Sequence, residues 1–461
     1  MINDMTKGEP LKLIFWFSVP LLIGNIFQQL YNIADIVIVG RTLGTNALAA
    51  VGAISPIFFF LTFVLVGMTN GFAVVTGQRF GAQDDIGVRR SVTISTILST
   101  VFTLAFTFSL TFFMDKFLYW MNVPKEIYKD AYYYIMIVVA GLIIVTLYNL
   151  LASVIRALGD SKTPLYFLIF ASIINIFLAL LFILKFNMGV SGSAIAVVIS
   201  QAVSALLCVI YVKFKFPILH LKRQDWIFSF NKNDTDFILE HLKVGLPMAL
   251  QFSIIGIGIL VIQSVCNSFG ADIIAAMTAA LRIEQIATMP MMSFGVAIAA
   301  YVAQNYGANK FGRIHEGVKK TSLICLLISI AMGVIIHVWG YDLVAIFLGY
   351  GEHHILELAK SYLLISTMFY FFLGQIFIHR NALQGMSEAV IPLWASIVEL
   401  VMRCAIAIFF ADKFGYYSVF YAGPAAWVTG ASIVGFGYYT NLFKIAKRSQ
   451  NAIREQRKIT A

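Results

Sequence analysis

The chain has 461 residues, of which 60% are hydrophobic and 12% charged, with a mean hydropathy of +0.84. A soluble domain carries about a quarter charged residues and single soluble cores stop growing near about 250 to 300 residues, so a water-soluble globular enzyme is excluded and a membrane-embedded chain is expected. The net charge of +10 does not point to nucleic acid, because the Lys and Arg lie mostly between apolar runs.

A membrane helix needs about 20 mainly apolar residues. By that measure there are twelve candidate spans, at 14–40, 47–75, 91–114, 131–155, 164–184, 191–212, 244–267, 273–302, 321–345, 358–382, 392–411 and 419–442. The polar start, Met1 to Lys12, leads into an apolar stretch too long for a signal-peptide core and without a small-residue cleavage site, so a retained first span is expected. The alternating ten-residue segments of a membrane β-barrel do not occur. The expected fold class is therefore an all-α integral membrane protein whose backbone groups are satisfied inside helices.

The first span carries Asn25, Gln28, Asn32 and Asp35 at steps of three, four and three, which makes one stripe of the helix polar. Lipid cannot satisfy such groups, so the stripe faces a partner helix or a water-filled cavity. Helix-to-helix hydrogen bonding explains the amides better than the carboxylate, for which the first half offers no basic residue in mid-span. An isolated carboxylate there takes up a proton or holds a cation, Na+ being the only metal ion the pattern suggests. Asn70, Asn149, Asn175 and Gln201 also lie within first-half spans and are candidates to surround Asp35, although each alone reads as a packing hydrogen bond.

Residues 213–243 form the only break that reads as a linker, and they divide the spans six and six. The expected organisation is an N-terminal six-helix lobe at 1–212, a cytoplasmic linker at 213–243, a C-terminal six-helix lobe at 244–442 and a basic cytoplasmic tail at 443–461. The halves are similar. Gly44-Thr45-Asn46-Ala47-Leu48-Ala49-Ala50 pairs with Gly270-Ala271-Asp272-Ile273-Ile274-Ala275-Ala276, and Gln78-Arg79-Phe80-Gly81-Ala82 with Gln304-Asn305-Tyr306-Gly307-Ala308, both at an offset of 226. Pro20 matches Pro247, Arg89-Arg90 matches Lys319-Lys320, and Pro164 matches Pro392. An even number of spans per half gives both copies one orientation, so the repeats are parallel, an arrangement found in alternating-access transporters.

The second half holds four charges within spans: Arg282, Glu284, Glu399 and Arg403. Glu399 and Arg403 are spaced i, i+4 with the acid first, which predicts a structural ion pair. Arg282 and Glu284 point to different faces. Glu284 and Gln285, ahead of Met289 and Met292, are candidates to line a cavity, since Met surfaces repack around varied ligands, although Met in a membrane helix is commonly filler. His337 and His379, near span ends, are expected at the interface. Cys208, Cys266, Cys325 and Cys404 lie in apolar stretches without metal-ligand spacing and read as small core residues.

With the N-terminus inside, twenty-four of the 33 Lys and Arg fall on the cytoplasmic side, Arg380 and the tail's Lys444, Lys447, Arg448, Arg454, Arg457 and Lys458 among them, against seven outside. Both termini are therefore expected in the cytoplasm. The nucleotide-binding pattern Gly-x-x-x-x-Gly-Lys-Ser/Thr, the His-Glu-x-x-His motif and the Gly-x-Ser-x-Gly elbow are all missing, so neither ATP drive, an enzyme nor an organic cofactor is expected.

The stretch from Pro20 to Asp35, the Gln78–Ala82 and Gln304–Ala308 segments, and Arg156-Ala157-Leu158-Gly159-Asp160-Ser161-Lys162-Thr163-Pro164 together resemble the multidrug and toxic compound extrusion (MATE) transporters over essentially all twelve spans. The resemblance implies a V-shaped pair of parallel six-helix lobes that exports organic cations and drugs in exchange for H+ or Na+. It implies a monomer in the lipid of a prokaryotic plasma or inner membrane, with no ATP and no nucleic acid as partner. Carried over by position, Asp35 falls on a first-helix aspartate implicated in cation coupling, and Asn175 on a fifth-helix Asn of the same lobe. This chain has Ala179 where some members place a second acid one turn later, and Ile255 and Leu373 where sodium-coupled members place carboxylates, so a second-lobe sodium site of that kind is not expected. The alternative is a lipid-linked saccharide flippase of the same wider superfamily, which needs several basic residues for a pyrophosphate head group, whereas only Arg282 and Arg403 lie in mid-span.

Overall fold

The computed structural model describes residues 4–226 and 232–459, with the side chains of all but 224, 233 and 446–459. The tail's Lys447, Arg448, Arg454, Arg457 and Lys458 thus lie outside the described side chains. The described residues contain helices and no strands. They are α1 (Pro10–Leu43), α2 (Thr45–Gly81), α3 (Asp85–Trp120), α4 (Lys125–Ala157), α5 (Lys162–Leu180), α6 (Gly189–Lys215), α7 (Lys232–Ser268), α8 (Ala271–Gly307), α9 (Phe311–Leu348), α10 (His353–Met368), α11 (Tyr370–Gly385), α12 (Val390–Phe409), α13 (Ala411–Phe414) and α14 (Tyr417–Ile459). α5 runs on into one π-helical turn, Leu181–Lys185.

Eleven of these helices are long and apolar enough to cross a membrane, and α10 with α11 makes a twelfth span bent by 52°. The all-α, twelve-span expectation therefore holds, but the tenth span, 358–382, is not one rod. The backbone tightens to three-residue spacing at the break, with Phe369 N donating to Ser366 O and Phe372 N to Phe369 O, and that change of winding turns the axis. The second part of the expected linker is already helical, since α7 begins at Lys232.

By contacts the chain forms two compact units. Unit 1 comprises Pro20–Phe252, and unit 2 comprises Asp4–Val19 with the chain from Ser253 onward. The divisions fall inside α1 and inside α7, so each half's first helix is shared between the units. In unit 1, α4 packs against α2, α3 and α6, and α5 against α6. Its core includes the fully buried Ile54, Leu61, Phe72, Met114, Leu118, Ala131, Ile135 and Ala194. Without a hydrophobic force between helices in lipid, close approach at small residues holds such bundles together. Gly67 and Gly71 of α2 supply it: a β-carbon on Gly71 would stand 2.5 Å from Gly245 Cα of α7, and one on Gly67 2.7 Å from Met248 O. In unit 2, α11 packs on α8, α9 and α14, and α12 on α14.

The internal repeat extends to the turns. Left-handed backbone occurs at Gly44 and Gly270 (φ 86° and 94°), Gln83 and Asn309 (59° and 55°), Asn122 and Gly349 (53° and 73°), Gly159 and Ser387 (93° and 62°), and Asn187 and Gly415 (51° and 56°), at offsets of 226 to 228. Each closes or opens a helix, and at turns such as Gln83 and Asn309 that follow a helix the next N–H groups satisfy orphaned carbonyls. After Gln83, for instance, Asp84 N bonds to Arg79 O, and after Asn309, Lys310 N bonds to Asn305 O.

Each unit also binds the segment that precedes a half's first span. In unit 2, Met5 N donates to Gln304 Oε1 (2.8 Å), Asn305 Nδ2 donates to Met5 O (3.1 Å), and Lys310 Nζ donates to Thr6 O (2.9 Å). In unit 1, Arg79 pairs with Glu240 at 2.5 Å, Arg89 with Asp225 at 3.4 Å, and Arg90 with Asp234, while His241 Nε2 and Ser91 Oγ are 2.8 Å apart. The two repeated segments at the ends of the second and eighth spans are thus docking points. The Arg156–Pro164 motif shapes a turn: buried Asp160 accepts from the backbone of Lys162 (3.0 Å) and Thr163 (3.1 Å) and from Tyr211 OH (2.8 Å), capping α5. Cys208, Cys266 and Cys325 are buried and Cys404 half-buried, all as free thiols.

Candidate functional site

Asp35 is brought into the interior of unit 1 by the polar stripe of α1 and is 9% exposed. Its Oδ1 accepts from Ser193 Oγ on α6 at 3.0 Å. Tyr31 of α1 and Tyr134 of α4 lie within reach of its charge. It has no ion pair among the described residues. A carboxylate in hydrocarbon whose direct partner is a neutral hydroxyl is suited to bind and release a proton or a small cation.

Asn175 on α5 is 1% exposed and donates to Ser200 Oγ at 3.5 Å, while its Oδ1 is buried without a hydrogen-bond partner. Gln201 Oε1 next to Ser200 is likewise buried and unpartnered. Ser193 and Ser200 are seven residues apart on α6, about 10 Å of rise. Asp35 and Asn175 therefore bond to serines at different levels of α6 and share no hydrogen bond among those described. Between them, unit 1 offers one carboxylate and, two turns away, two free amide oxygens.

The other first-half candidates divide. Asn70 is tied into a network in which Ser153 Oγ donates to its Oδ1 at 2.7 Å and Arg156 Nη2 donates to Ser153 Oγ at 2.8 Å and to Asn70 Oδ1 at 3.4 Å, so it holds α2 to α4. Asn149 donates to Val145 O of its own helix at 2.8 Å. Asn25 and Asn32 are half-buried and Gln28 is exposed. None of these is hydrogen-bonded to Asp35 among the bonds described.

In unit 2, Glu284 on α8 is half-buried and accepts from Tyr362 OH on α10 at 2.9 Å. Gln285, Arg282 and Met292 are exposed and Met289 is buried, so the proposed cavity row faces several directions. The predicted pair of Glu399 with Arg403 is not formed. Glu399 accepts instead from Arg380 Nη2 of α11 at 2.5 Å. Gly430 of α14 makes room for that rotamer, since a β-carbon there would stand 2.4 Å from Glu399 Oε1. Arg380 is accordingly a buried ion-pair partner, at 6% exposure. His379 is not at the interface either. Its ring is 5% exposed, Nδ1 lies 3.0 Å from Gln375 O, and it packs against Tyr438 with centroids 5.2 Å apart. His337 is exposed.

Sequence reasoning missed Ser193, Tyr134, Tyr362 and Arg380. Hydroxyl residues and tyrosines are common in apolar spans, so no signal marked the first three. Arg380 was visible as a charge close to the predicted end of a span.

A family model described as MatE matches residues 20–181 and 247–409. The chain is 29% identical over 376 residues to the probable multidrug resistance protein YpnP of Bacillus subtilis (strain 168), covering 81% of this chain and 82% of that protein. It is 26% identical over 439 residues to the probable multidrug resistance protein YoeA of the same organism, covering 93% of each. To the multidrug export protein MepA of Staphylococcus aureus (strain MSSA476) it is 22% identical, covering 83% of each. Among solved structures, a MATE crystal structure in the bent conformation superimposes with a TM-score of 0.89, covering 97% of this chain and 98% of that one at 24% identity, a likeness of fold.

Proposed function

The chain belongs to the MatE family of membrane transporters and is not an enzyme, and from that premise we propose that it is a secondary antiporter that exports drugs and toxic compounds, chiefly organic cations, by alternating access. The observation that carries the coupling half of this reading is Asp35, buried in unit 1 with a serine hydroxyl as its hydrogen-bonding partner and no ion pair among the described residues. Support for the substrate half comes from the relatives, named as multidrug resistance and multidrug export proteins.

In this reading Asp35 takes up H+ or Na+ while open to the outside. Charge neutralisation changes its bond to Ser193, the packing of α1 against α6 shifts, and the drug is released. The ion leaves to the cytoplasm as the transporter rocks back to reload. The buried, unpartnered Oδ1 of Asn175 serves as an acceptor farther along α6. Both termini lie in the cytoplasm of a prokaryotic cell, with the chain acting as a monomer in the plasma or inner membrane. The excess of Lys and Arg in alternate breaks supports that orientation.

The test is efflux of ethidium from proteoliposomes under an imposed H+ gradient and, separately, a Na+ gradient. One of the two drives export by the wild type, and Asp35→Asn abolishes it. Export by Asp35→Asn at the wild-type rate would remove the coupling role.

A further inference from the structure

Unit 2 holds a pocket of about 240 Å³ that neither half of the antiport reading uses. It is lined by Glu388 just ahead of α12, by Ile391 in the first turn of α12, and by Thr440, Asn441, Lys444 and Ile445 of α14. The apolar lengths of these two helices run from Val390 to Phe409 and from Tyr417 to Ile445, so the pocket lies where one span enters the bilayer and the other leaves it, at the level of lipid head groups. Gly437 lets the helices meet there, since a β-carbon on it would stand 2.6 Å from Ile391 Cγ2. Two opposite charges face this pocket and do not meet: Glu388 and Lys444 form no ion pair with each other or with any other described residue. On α9 of the same unit, by contrast, Glu316 and Lys320 close on each other at 2.8 Å. Val390 and Trp394 on α12, and Phe436 and Phe443 on α14, flank the lining residues in sequence and are all exposed.

We propose that this pocket binds the head group of a zwitterionic aminophospholipid, phosphatidylethanolamine, with its phosphate on Lys444 and its ammonium donating to Glu388. Charge, size and depth decide the occupant. A carboxylate and an ammonium held apart across a pocket are matched by a ligand with one charge of each sign, which answers both through charge-assisted hydrogen bonds. Phosphatidylglycerol brings a phosphate for Lys444 but only neutral hydroxyls for Glu388. The basic run beyond the pocket, Lys447, Arg448, Arg454, Arg457 and Lys458, attracts anionic lipid to the surface in general, and Glu388 is what makes the pocket select. Pockets that enclose drug-sized ligands measure about 300 to 1,000 Å³, so this one is small for an exported drug.

The backbone presents both charges before any lipid arrives. Glu388 follows the left-handed Ser387 (φ 62°), and its N–H closes the turn after α11 by donating to Leu383 O at 2.9 Å. Lys444 follows Thr440 by one turn of α14, and the Thr440 hydroxyl is taken up by its own helix, donating to Phe436 O at 2.8 Å. A head group that bridges Glu388 and Lys444 therefore ties the α11–α12 turn to α14, while the exposed apolar side chains nearby give its acyl chains a surface to lie on.

The experiment titrates the purified full-length chain in detergent with short-chain phosphatidylethanolamine, phosphatidylcholine and phosphatidylglycerol, and counts bound lipid by native mass spectrometry. The wild type is expected to hold phosphatidylethanolamine about tenfold more tightly than the other two, the size of one hydrogen bond to a charged group, since choline has no N–H to donate. Glu388→Gln should bring phosphatidylethanolamine to the level of phosphatidylglycerol, and Lys444→Gln should weaken all three. Glu316→Gln, whose acid is already paired, should change none of them. In the wild-type chain a photoreactive phosphatidylethanolamine should label the peptides around Ile391 and Ile445, which decides the matter if a pocket variant misfolds. Equal affinity for the three lipids, a selectivity that survives Glu388→Gln, or labelling elsewhere would overturn the proposal. A preference for phosphatidylglycerol would do so in favour of a plain anionic-lipid site, and displacement by free phosphoethanolamine at equal concentration in favour of a soluble ligand. None of these readouts involves transport, so they stand whether or not the antiport reading does.

Discussion

Arg380 of α11 and Glu399 of α12 form an ion pair of 2.5 Å in which both partners are less than one-tenth exposed, and Arg403, one helical turn beyond Glu399, takes no part in it. Removing one member of a buried pair leaves an uncompensated charge, at a cost of about 3 to 5 kcal/mol, whereas replacing both by apolar groups is often neutral. Arg380→Met is therefore expected to lower the thermal unfolding midpoint in detergent sharply, and Arg380→Met with Glu399→Leu to recover most of it. A double variant as unstable as the single one would mean that the pair contributes more than charge compensation.

The approach of α2 to α7 makes a second, steric prediction. A β-carbon on Gly71 meets Gly245 Cα at 2.5 Å and its N at 2.9 Å, both backbone atoms that cannot step aside without moving a helix. Gly71→Ala should cost the yield of folded, monodisperse protein, and Gly71→Val should abolish it. Gly52→Ala on the same helix, with open space around it, should be neutral or mildly stabilising by helix propensity. Equal yields from all three would refute the contact.

These two contacts differ in how far the sequence announces them. Gly67 and Gly71 sit four apart in an apolar span, a small-residue spacing that favours close helix packing. Spacing within one helix shows only neighbours on that helix, so it suggested Arg403 for Glu399 and could not show Arg380, nineteen residues back on another helix. The twelve spans were legible because bilayer thickness sets their length. The repeat was legible where it is written in glycine, at Gly44 and Gly270, and hidden where Asn122 and Asn187 hold the left-handed turns that Gly349 and Gly415 hold in the other half. Asp35 stood out because a lone acid in an apolar span has few structural explanations. Its partner Ser193 did not, because a serine in a membrane helix can satisfy itself on its own backbone.

The docked N-terminal segment gives a local prediction. Met5 N donates to Gln304 Oε1 and Met5 O accepts from Asn305 Nδ2, with Met5 1% exposed. A buried backbone group left without its partner costs about 1 to 3 kcal/mol. Gln304→Ala should speed amide exchange at Met5 about five- to a hundredfold while leaving exchange in α12 unchanged. Protection of Met5 equal to wild type would show that the segment is held by other contacts.

The difference in level between the serines bonded by Asp35 and Asn175 can be read out energetically. Residues in direct contact couple by about 0.5 to 3 kcal/mol in a double-mutant cycle, while residues beyond about 7 to 10 Å with no shared partner add within about 0.5 kcal/mol. Asp35 bonds Ser193 and Asn175 bonds Ser200, about 10 Å farther along α6. The cycle Asp35→Asn with Ser193→Ala, measured as unfolding stability in detergent, should therefore show clear coupling. The cycle Asp35→Asn with Asn175→Ala should be additive in the absence of Na+. Repeating the second cycle in Na+ separates two arrangements of the ion. If the ion is bound by Asp35 alone, additivity persists. If it is shared by both oxygens, Na+ must draw α1 and α5 together, and coupling appears only with the ion present. Strong coupling without Na+ would contradict the two-level geometry itself, since no bond or common partner then accounts for it.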